Sequence, residues 1–305
     1  MAHFTIRQLE VFTAAAETLS FARVAERLLL TPSAVSFQIR QIEAQTELAL
    51  FERIGRRVTL TEAGSVLLHY ARLVLQSMRD ADQAMAGLRG TGGGRVTIGL
   101  VSTAKYIVPH IIARFRTEHP GVRVSLREGN RAQVRALLVG GDIDLAIMGR
   151  PPEDADVTAD RFAPHPSVIV AAPAHPLVGQ PEISPGELTD EWFIVREQGS
   201  GTRAVSDRFF ADAGFTPKIA MESSSNEMIK QAVMAGMGLA LLSSHTIGLE
   251  ARLGLLQVLR VTGFPVMRAW FVVQRRTAPL LPDQAALRRF LVEQGGKIIE
   301  QLSKA

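Results

Sequence analysis

Cysteine is absent from the 305-residue chain. That excludes disulfides, thiolate metal ligands and thiol nucleophiles. No apolar run approaches the roughly 18 residues that a membrane span needs, and mean hydropathy is only +0.13. Met1-Ala2-His3-Phe4-Thr5-Ile6-Arg7 lacks the basic start and apolar core of a secretory leader, so a cytoplasmic location is expected. The seven histidines are dispersed and never form the i, i+4 pair of a helical metal site. No Gly-x-Ser-x-Gly elbow or P-loop occurs. Gly199-Ser200-Gly201-Thr202 has neither the spacing nor the Lys of a nucleotide hydrolase. Excess charge is also modest. The net value is +4, and residues 1–90 have no Lys, ten Arg and nine Asp/Glu, a balance of +1. Overall basicity therefore does not locate a nucleic-acid site, and the arrangement of residues must.

Apolar residues make up 47% of the chain, enough for sizeable cores, and the length allows two or three domains. Ile6, Leu9, Phe12 and Ala16 give one helix face. Ser20 caps a second helix bearing Phe21, Val24 and Leu28. Thr31-Pro32 opens a third, buried through Val35, Ile39 and Ile42, with Pro at the position where its missing N–H costs nothing. A long helix follows over 61–88. Ala63, Leu67, Tyr70, Val74, Ser77, Ala81, Ala84 and Leu88 alternate spacings of four and three, the seam of a paired helix. It predicts a dimer, the alternative being packing against its own chain.

Gly90-Thr91-Gly92-Gly93-Gly94 reads as a hinge. Beyond it, strands are predicted over 95–101, 122–128, 145–148, 168–172, 193–196, 239–242 and 270–273. Helices are predicted over 104–118, 132–140, 204–213, 228–235 and 282–294. The alternation favours mostly parallel sheets covered on both faces, in two halves, because strand-helix units restart after Pro164.

Two helices joined by a tight turn, the second with small polar residues near its start, suit a DNA major groove. Thr31, Ser33, Ser36, Gln38 and Arg40 lie on or near the exposed side. Hydroxyls reach phosphates or base edges, Gln matches adenine and Arg matches guanine or phosphate. The next segment, Phe51-Glu52-Arg53-Ile54-Gly55-Arg56-Arg57-Val58-Thr59-Leu60, has two short strand-like runs around a Gly turn. Arg53, Arg56 and Arg57 can lie along the phosphate backbone, each contact adding salt-dependent affinity. Taken singly, the hydroxyls are also ordinary caps and the arginines a solvated turn.

The same residues resemble a known family. Ser20-Phe21-Ala22-Arg23-Val24-Ala25, Thr31-Pro32-Ser33-Ala34-Val35-Ser36, Gln38-Ile39-Arg40-Gln41-Ile42-Glu43, Leu50-Phe51-Glu52-Arg53 and Leu60-Thr61-Glu62-Ala63-Gly64 are similar to the winged helix-turn-helix of LysR-type transcriptional regulators. The resemblance implies an α/β chain in three parts. These are a winged helix-turn-helix (1–60, with Ala34 among the DNA contacts), a linker and dimerisation helix (61–89), and a periplasmic-binding-protein-like effector domain (90–305). Subdomain I would cover about 95–163 and 268–305, and subdomain II about 164–267. Expected partners are a pseudo-palindromic site in double-stranded DNA, further copies of the chain as a dimer of dimers, and RNA polymerase. No membrane contact is expected. Where many members have a basic residue after the Ala-Val-Ser run, this chain has Phe37. That shifts base reading to Ser36 and Gln38 and affinity to the wing.

Three predicted strand-to-helix junctions in the C-terminal part combine hydroxyls with cations, a pattern that suits an anion at a helix N-terminus. The first holds Ser102, Thr103 and Lys105, the second Ser200, Thr202 and Arg203, and the third Asn226 with Lys230 one turn later. Asn130 and Arg150 follow strands and are placed at the same cleft, with pairing to Asp142 or Asp144 as the equal alternative for Arg150. His245 has two readings, a ligand contact or an ordinary turn residue. Val101-Ser102-Thr103-Ala104-Lys105-Tyr106, Gly129-Asn130-Arg131, Ala146-Ile147-Met148-Gly149-Arg150-Pro151-Pro152, Gly199-Ser200-Gly201-Thr202-Arg203 and Leu242-Ser243-Ser244-His245-Thr246 resemble the regulators of Calvin–Benson–Bassham (RuBisCO) operons. This implies an activator of carbon-fixation genes with no cofactor and a small anionic effector, a phosphorylated metabolite or NADPH. Two other classes share part of the pattern: an α/β enzyme acting on a phosphorylated substrate, and a transported-solute receptor. The second needs a leader and no DNA-binding segment.

Overall fold

A computed structural model describes residues 4–55, 57–88 and 94–304. Arg56 of the wing and Gly90 to Gly93 of the hinge lie outside the described residues. Two compact units form.

The first unit starts with α1 (Ile6–Thr18), where Thr5 and Gln8 satisfy each other's backbone N–H groups in a capping box. Ser20 caps α2 (Phe21–Leu28) and Thr31 caps α3 (Pro32–Thr46). Leu19 and Leu29, both left-handed, end α1 and α2 and make the sharp turns. Phe12, Val24, Val35, Ile39, Ile42 and Leu50 are buried together at the centre. The wing is the hairpin β1 (Phe51–Ile54) and β2 (Arg57–Leu60), with Arg53 opposite Val58 and Ile54 opposite Arg57. Thr61 caps α4 (Glu62–Leu88) by accepting from Gly64 N at 3.0 Å.

The predicted seam on α4 is corrected at its first two positions, while its Tyr70, Val74, Ser77 and Ala81 are exposed and the Leu88 side chain lies outside the described residues. Ala63 and Leu67 pack into the first unit's core, as do Ala71 and Leu75, which are outside the seam. Val66, Tyr70, Val74, Met78 and Met85 form the exposed apolar stripe. The helix has two apolar faces, and one 4-3 pattern drew residues from both.

The second unit contains β3 (Arg95–Val101), α5 (Val108–Glu118), β4 (Arg123–Gly129), α6 (Arg131–Val139), β5 (Leu145–Met148), β6 (Val157–Ala171), β7 (Trp192–Arg196), α7 (Gly201–Ala213), β8 (Lys218–Ser223), α8 (Asn226–Met234), β9 (Ala240–Ser243), α9 (Gly248–Arg252), β10 (Gln257–Val258), β11 (Val266–Arg275) and α10 (Pro282–Lys304). The predicted helix from Ala104 is broken: a 3-10 turn (Ala104–Tyr106) comes first, and Pro109 sits at the start of α5 because its ring cannot follow a preceding α-turn.

The main sheet runs β10-β6-β11-β5-β3-β4, with β9 also on β6. Only β4-β3-β5 is parallel there, and every pairing of β6 and β11 is antiparallel. The expected mostly parallel sheet is therefore corrected to a mixed one. Strands β6 and β11 are far longer than the segments read from sequence, 15 and 10 residues. Pro164 and Pro166 lie inside β6 and hid it, since proline is normally a reason to reject a strand interior.

The two long strands serve two cores. Phe162 and Ala163 of β6 and Trp270 and Val272 of β11 are buried with Val96, Ile98 and Phe115 in one lobe. Val168 to Ala171 of β6 are buried in the other, with Phe193, Ile194, Ile229 and Leu242. The chain crosses between lobes near His165, which is in register with Arg268.

Gly64 at the start of α4 abuts the backbone of Leu50, so a Cβ there would run into the Leu50 carbonyl oxygen and the Leu60 side chain. Gly64→Ala is expected to lower the stability of the first unit by about 1–3 kcal/mol. Urea unfolding should show an earlier transition, and an unchanged midpoint would mean that the contact has no energetic weight.

Candidate functional site

The first candidate surface is the start of α3 with the wing. Thr31 accepts from Ala34 N at 3.2 Å and shares a 2.9 Å hydrogen bond with the Ser33 hydroxyl. Ser36 donates to the Pro32 carbonyl at 3.0 Å. These hydroxyls are partly used in shaping the helix start, but their oxygens retain lone pairs. Arg40 is exposed and Gln38 and Ala34 are half-exposed. Phe37 is 51% exposed, an aromatic on an otherwise polar face. The hairpin register separates the wing arginines. Residue 53 shares a face with 58, and residue 57 with 54, so Arg53 and Arg57 leave opposite faces of the ribbon.

The second candidate is a cavity of about 940 Å³ in the second unit. Both lobes line it. Ser102 and Thr103 come from the end of β3, Asn130 from the end of β4, and Arg150 from the loop after β5. Ser200, Gly201 and Thr202 come from the start of α7. Ser200 caps that helix, its hydroxyl accepting from the N–H groups of Thr202 and Arg203. Six predicted residues (Ser102, Thr103, Asn130, Arg150, Ser200 and Thr202) thus share one cavity wall.

Four predicted contacts sit elsewhere. Arg203 is 12% exposed and off the cavity wall, its guanidinium held 2.7 Å from Asp207, 2.6 Å from Glu222 and 2.8 Å from the Arg196 carbonyl. Its Nε and Nη1 already have acceptors within the protein, two of them carboxylates, which turns the fork away from a ligand oxyanion. Lys105 pairs with Glu128 at 3.3 Å. Asn226 is buried, accepting from Arg196 at 2.7 Å and donating to the Ser102 carbonyl at 3.3 Å. His245 accepts from the Trp270 indole N–H at 3.2 Å, and burial lowers its pKa to about 4. Arg150 pairs with Glu153 at 2.6 Å, not with either aspartate considered from sequence.

The charges that dominate the cavity were missed. Arg196 is 2% exposed and ends β7. It is held by Glu197 at 2.8 Å and donates to the Ser102 hydroxyl at 2.9 Å. Arg268 donates to the Ser167 hydroxyl at 2.9 Å and to the Gly201 carbonyl at 3.4 Å. Among the described residues no carboxylate pairs with it, and its Nε is shielded from water with no acceptor. Burial lowers its pKa to about 10, still a cation at neutral pH. His165 is 1% exposed, stacks 3.8 Å from the Trp270 ring and contacts both Ser243 and Arg268. The available sequence clue was an Arg inside an apolar strand, as in Phe193-Ile194-Val195-Arg196 and Val266-Met267-Arg268-Ala269-Trp270. A charge in such a run must find a counter-charge or a ligand.

Among the described residues no helix is long and apolar enough to cross a membrane.

Residues 6–65 match the family model of the bacterial regulatory helix-turn-helix protein, lysR family, and residues 89–296 match the LysR substrate binding domain. The HTH-type transcriptional regulator CfxR of Cupriavidus necator is 45% identical over 95% of this chain and 91% of its own. A RuBisCO operon transcriptional regulator of Allochromatium vinosum is 41% identical over 97% of this chain and 98% of its own. The solved regulatory domain of CcmR from Synechocystis PCC6803, in complex with 2-PG, is 35% identical with a TM-score of 0.63, covering 65% of this chain and 95% of that one. Two family models in series over the helix-turn-helix and the two-lobed unit, with relatives matched nearly end to end, establish that the chain belongs to the LysR family of DNA-binding transcriptional regulators.

Proposed function

We propose that this LysR-family regulator activates carbon-fixation (RuBisCO and Calvin cycle) genes, and that a small phosphorylated acid bound in the cleft between its lobes controls it. The observation that carries the ligand class is Arg268. It is a cation with no carboxylate partner among the described residues, in a cavity that also presents Ser102, Ser200, Thr202 and Asn130. An anion supplies what the fold does not. The gene target draws support from the RuBisCO operon regulator among the relatives. The ligand draws support from the bound 2-PG (2-phosphoglycolate) of the CcmR regulatory domain. NADPH, a larger phosphorylated anion, is the comparison ligand for the same cavity.

In this reading α3 enters the major groove of a pseudo-palindromic site, with Ser33, Ala34, Ser36, Gln38 and Arg40 towards the bases. Thr31, Arg53, Arg56 and Arg57 lie towards the phosphates. Two copies of α4 pair through Val66, Tyr70, Val74, Met78 and Met85, and two such dimers join. The parts divide at 1–60, 61–89 and 90–305, with the lobes meeting at about 163–164 and 267–268. The ligand changes the set of lobe by binding one arrangement more tightly than another, and RNA polymerase reads the result at the promoter.

In calorimetric titrations with 2-phosphoglycolate, Arg268→Gln should weaken binding at least about tenfold, since a hydrogen bond to a charged group is worth about 1.5–3 kcal/mol. DNA affinity without ligand should be unchanged. Equal affinity in the variant would remove Arg268 from the site. Arg203→Gln should lower the melting temperature by about a few degrees and leave ligand affinity within about threefold, because its partners are the protein's own carboxylates; the reverse pattern would restore it as a ligand contact. Arg57→Ala should weaken binding to all promoter fragments and reduce the slope of log K against log salt by about one. A fluorescence anisotropy series with an unchanged slope would take Arg57 off the phosphates.

A further inference from the structure

Phe37 is the one large apolar residue of α3 that is exposed, at 51%, and it is not part of the core beneath the helix. Its place on the helix is set by the residues that are buried. Val35, Ile39 and Ile42 face the core, and at about 100° per residue Phe37 points nearly opposite them. Ser33 and Arg40, both exposed, lie within about 60° of it on the same count. Ser36 and Gln38 are half-buried on the two flanks. The centre of the outward face is therefore an aromatic ring with a hydroxyl and a guanidinium beside it. The two residues to which the sequence assigned base reading are peripheral to that centre.

Phenylalanine is a middling helix former, and half of this side chain stays in water, so the fold gains little from it. Nor does the ring sit in a protein-docking patch. Such patches are contiguous apolar areas of roughly a few hundred Å² or more, whereas Phe37 is flanked on its own helix face by Ser33 and Arg40. One apolar group among polar ones matches the edge of a base pair. In the major groove each base pair shows donors and acceptors, and thymine adds the one apolar group, its 5-methyl. A ring set against guanine, adenine or cytosine would strip water from polar atoms and return no hydrogen bond.

We propose that Phe37 is a specificity-determining residue that packs on the 5-methyl group of a thymine, once in each half of the DNA site. It lies one turn after Ser33 in the N-terminal half of α3, the part of a recognition helix that meets base edges. The contact selects without a hydrogen bond: burial of the methyl favours thymine, and desolvation disfavours the other bases. The inference rests on the reading that α3 enters the major groove. It adds to that reading the base, and the group on that base, that residue 37 recognises.

The test uses the full-length protein and the duplex that it selects from a random pool, titrated by fluorescence anisotropy. The selected site should fix a thymine in each half. Uracil placed there removes the methyl and nothing else, and should weaken binding about fourfold per half-site, the loss of one buried methyl group. Phe37→Ala should bind the thymine and uracil duplexes within about 1.5-fold of each other, while Phe37→Leu, which keeps an apolar tip, should still separate them by about twofold or more. Thermal melting checks that each variant is folded, and the uracil series on the unsubstituted chain does not depend on either of them. A selected site with no fixed thymine, uracil leaving affinity unchanged at every thymine, or Phe37→Ala keeping the full uracil effect would each overturn the proposal. Replacing purines by their 7-deaza forms removes acceptors from the major groove alone. Affinity unchanged by 7-deazapurines would overturn the placement of α3 itself, whereas sensitivity to 7-deazapurines with none to uracil would overturn the role of Phe37 alone.

Discussion

The cleft depends on one register pair, His165 opposite Arg268, placed where the antiparallel strands β6 and β11 pass from one lobe to the other. Opposed residues of an antiparallel pair project from the same face, so the pairing that joins the lobes also sets a histidine beside a guanidinium. Trp270, two positions on from Arg268, stacks on the imidazole at 3.8 Å and fixes its plane. Ser167, two positions on from His165, accepts from the same guanidinium. The alternation of the strands thus delivers four cooperating side chains to one point, and no loop has to be ordered to assemble them.

A second set of bonds links the lobes across the cavity. Arg196 of one lobe donates to the Ser102 hydroxyl of the other, and Asn226 donates to the Ser102 carbonyl. Nearby, the Tyr106 hydroxyl donates to Glu227 at 2.5 Å, with Lys230 3.0 Å from the same carboxylate. Burial and that acceptor raise the tyrosine pKa far above its ordinary value, so the hydroxyl keeps its proton and the bond persists across the physiological range. The Ser102 hydroxyl accepts from Arg196 and keeps its own O–H to donate to an anion, whereas Tyr106 and Glu227 lie off the cavity lining. One inter-lobe contact thus borders the cavity and another does not.

How much of this was legible in the sequence follows from what each signal measures. Caps are local: Thr5, Ser20, Thr31 and Ser200 are bonded where the residue type and the following apolar period place them. Hydroxyls at strand-to-helix junctions were likewise readable: Ser102, Thr103, Ser200 and Thr202 all reach the cavity, beside Asn130 and Arg150. Arg203, Lys105, Asn226 and His245 do not line it because their partners are Glu222, Glu128, Arg196 and Trp270. These partners are distant in sequence and no local pattern reveals them. Arg268 and His165 were missed for the opposite reason. Their significance lies in a register between strands about a hundred residues apart, and prolines at 164 and 166 obscured the first strand. Local rules find where polar groups begin helices. Only tertiary pairing decides which charges are left without a partner, and that is what defines the site.

The same distinction governs the DNA-binding end. At the start of α3 the hydroxyls of Thr31, Ser33 and Ser36 are each tied to a neighbour, which fixes where their remaining lone pairs point and lowers the entropy cost of a contact. Phe37 beside them carries no hydrogen-bonding group, and its ring is open to a thymine methyl rather than to a phosphate. The exposed cations at this end are Arg40 of α3 and the arginines of the wing, and the hairpin register gives the wing pair a geometry. Arg53 and Arg57 leave opposite faces of the ribbon, so a hairpin lying along the duplex cannot press both onto a single run of phosphates. Alternation along a four-residue strand, and not net charge, therefore sets where the wing arginines point.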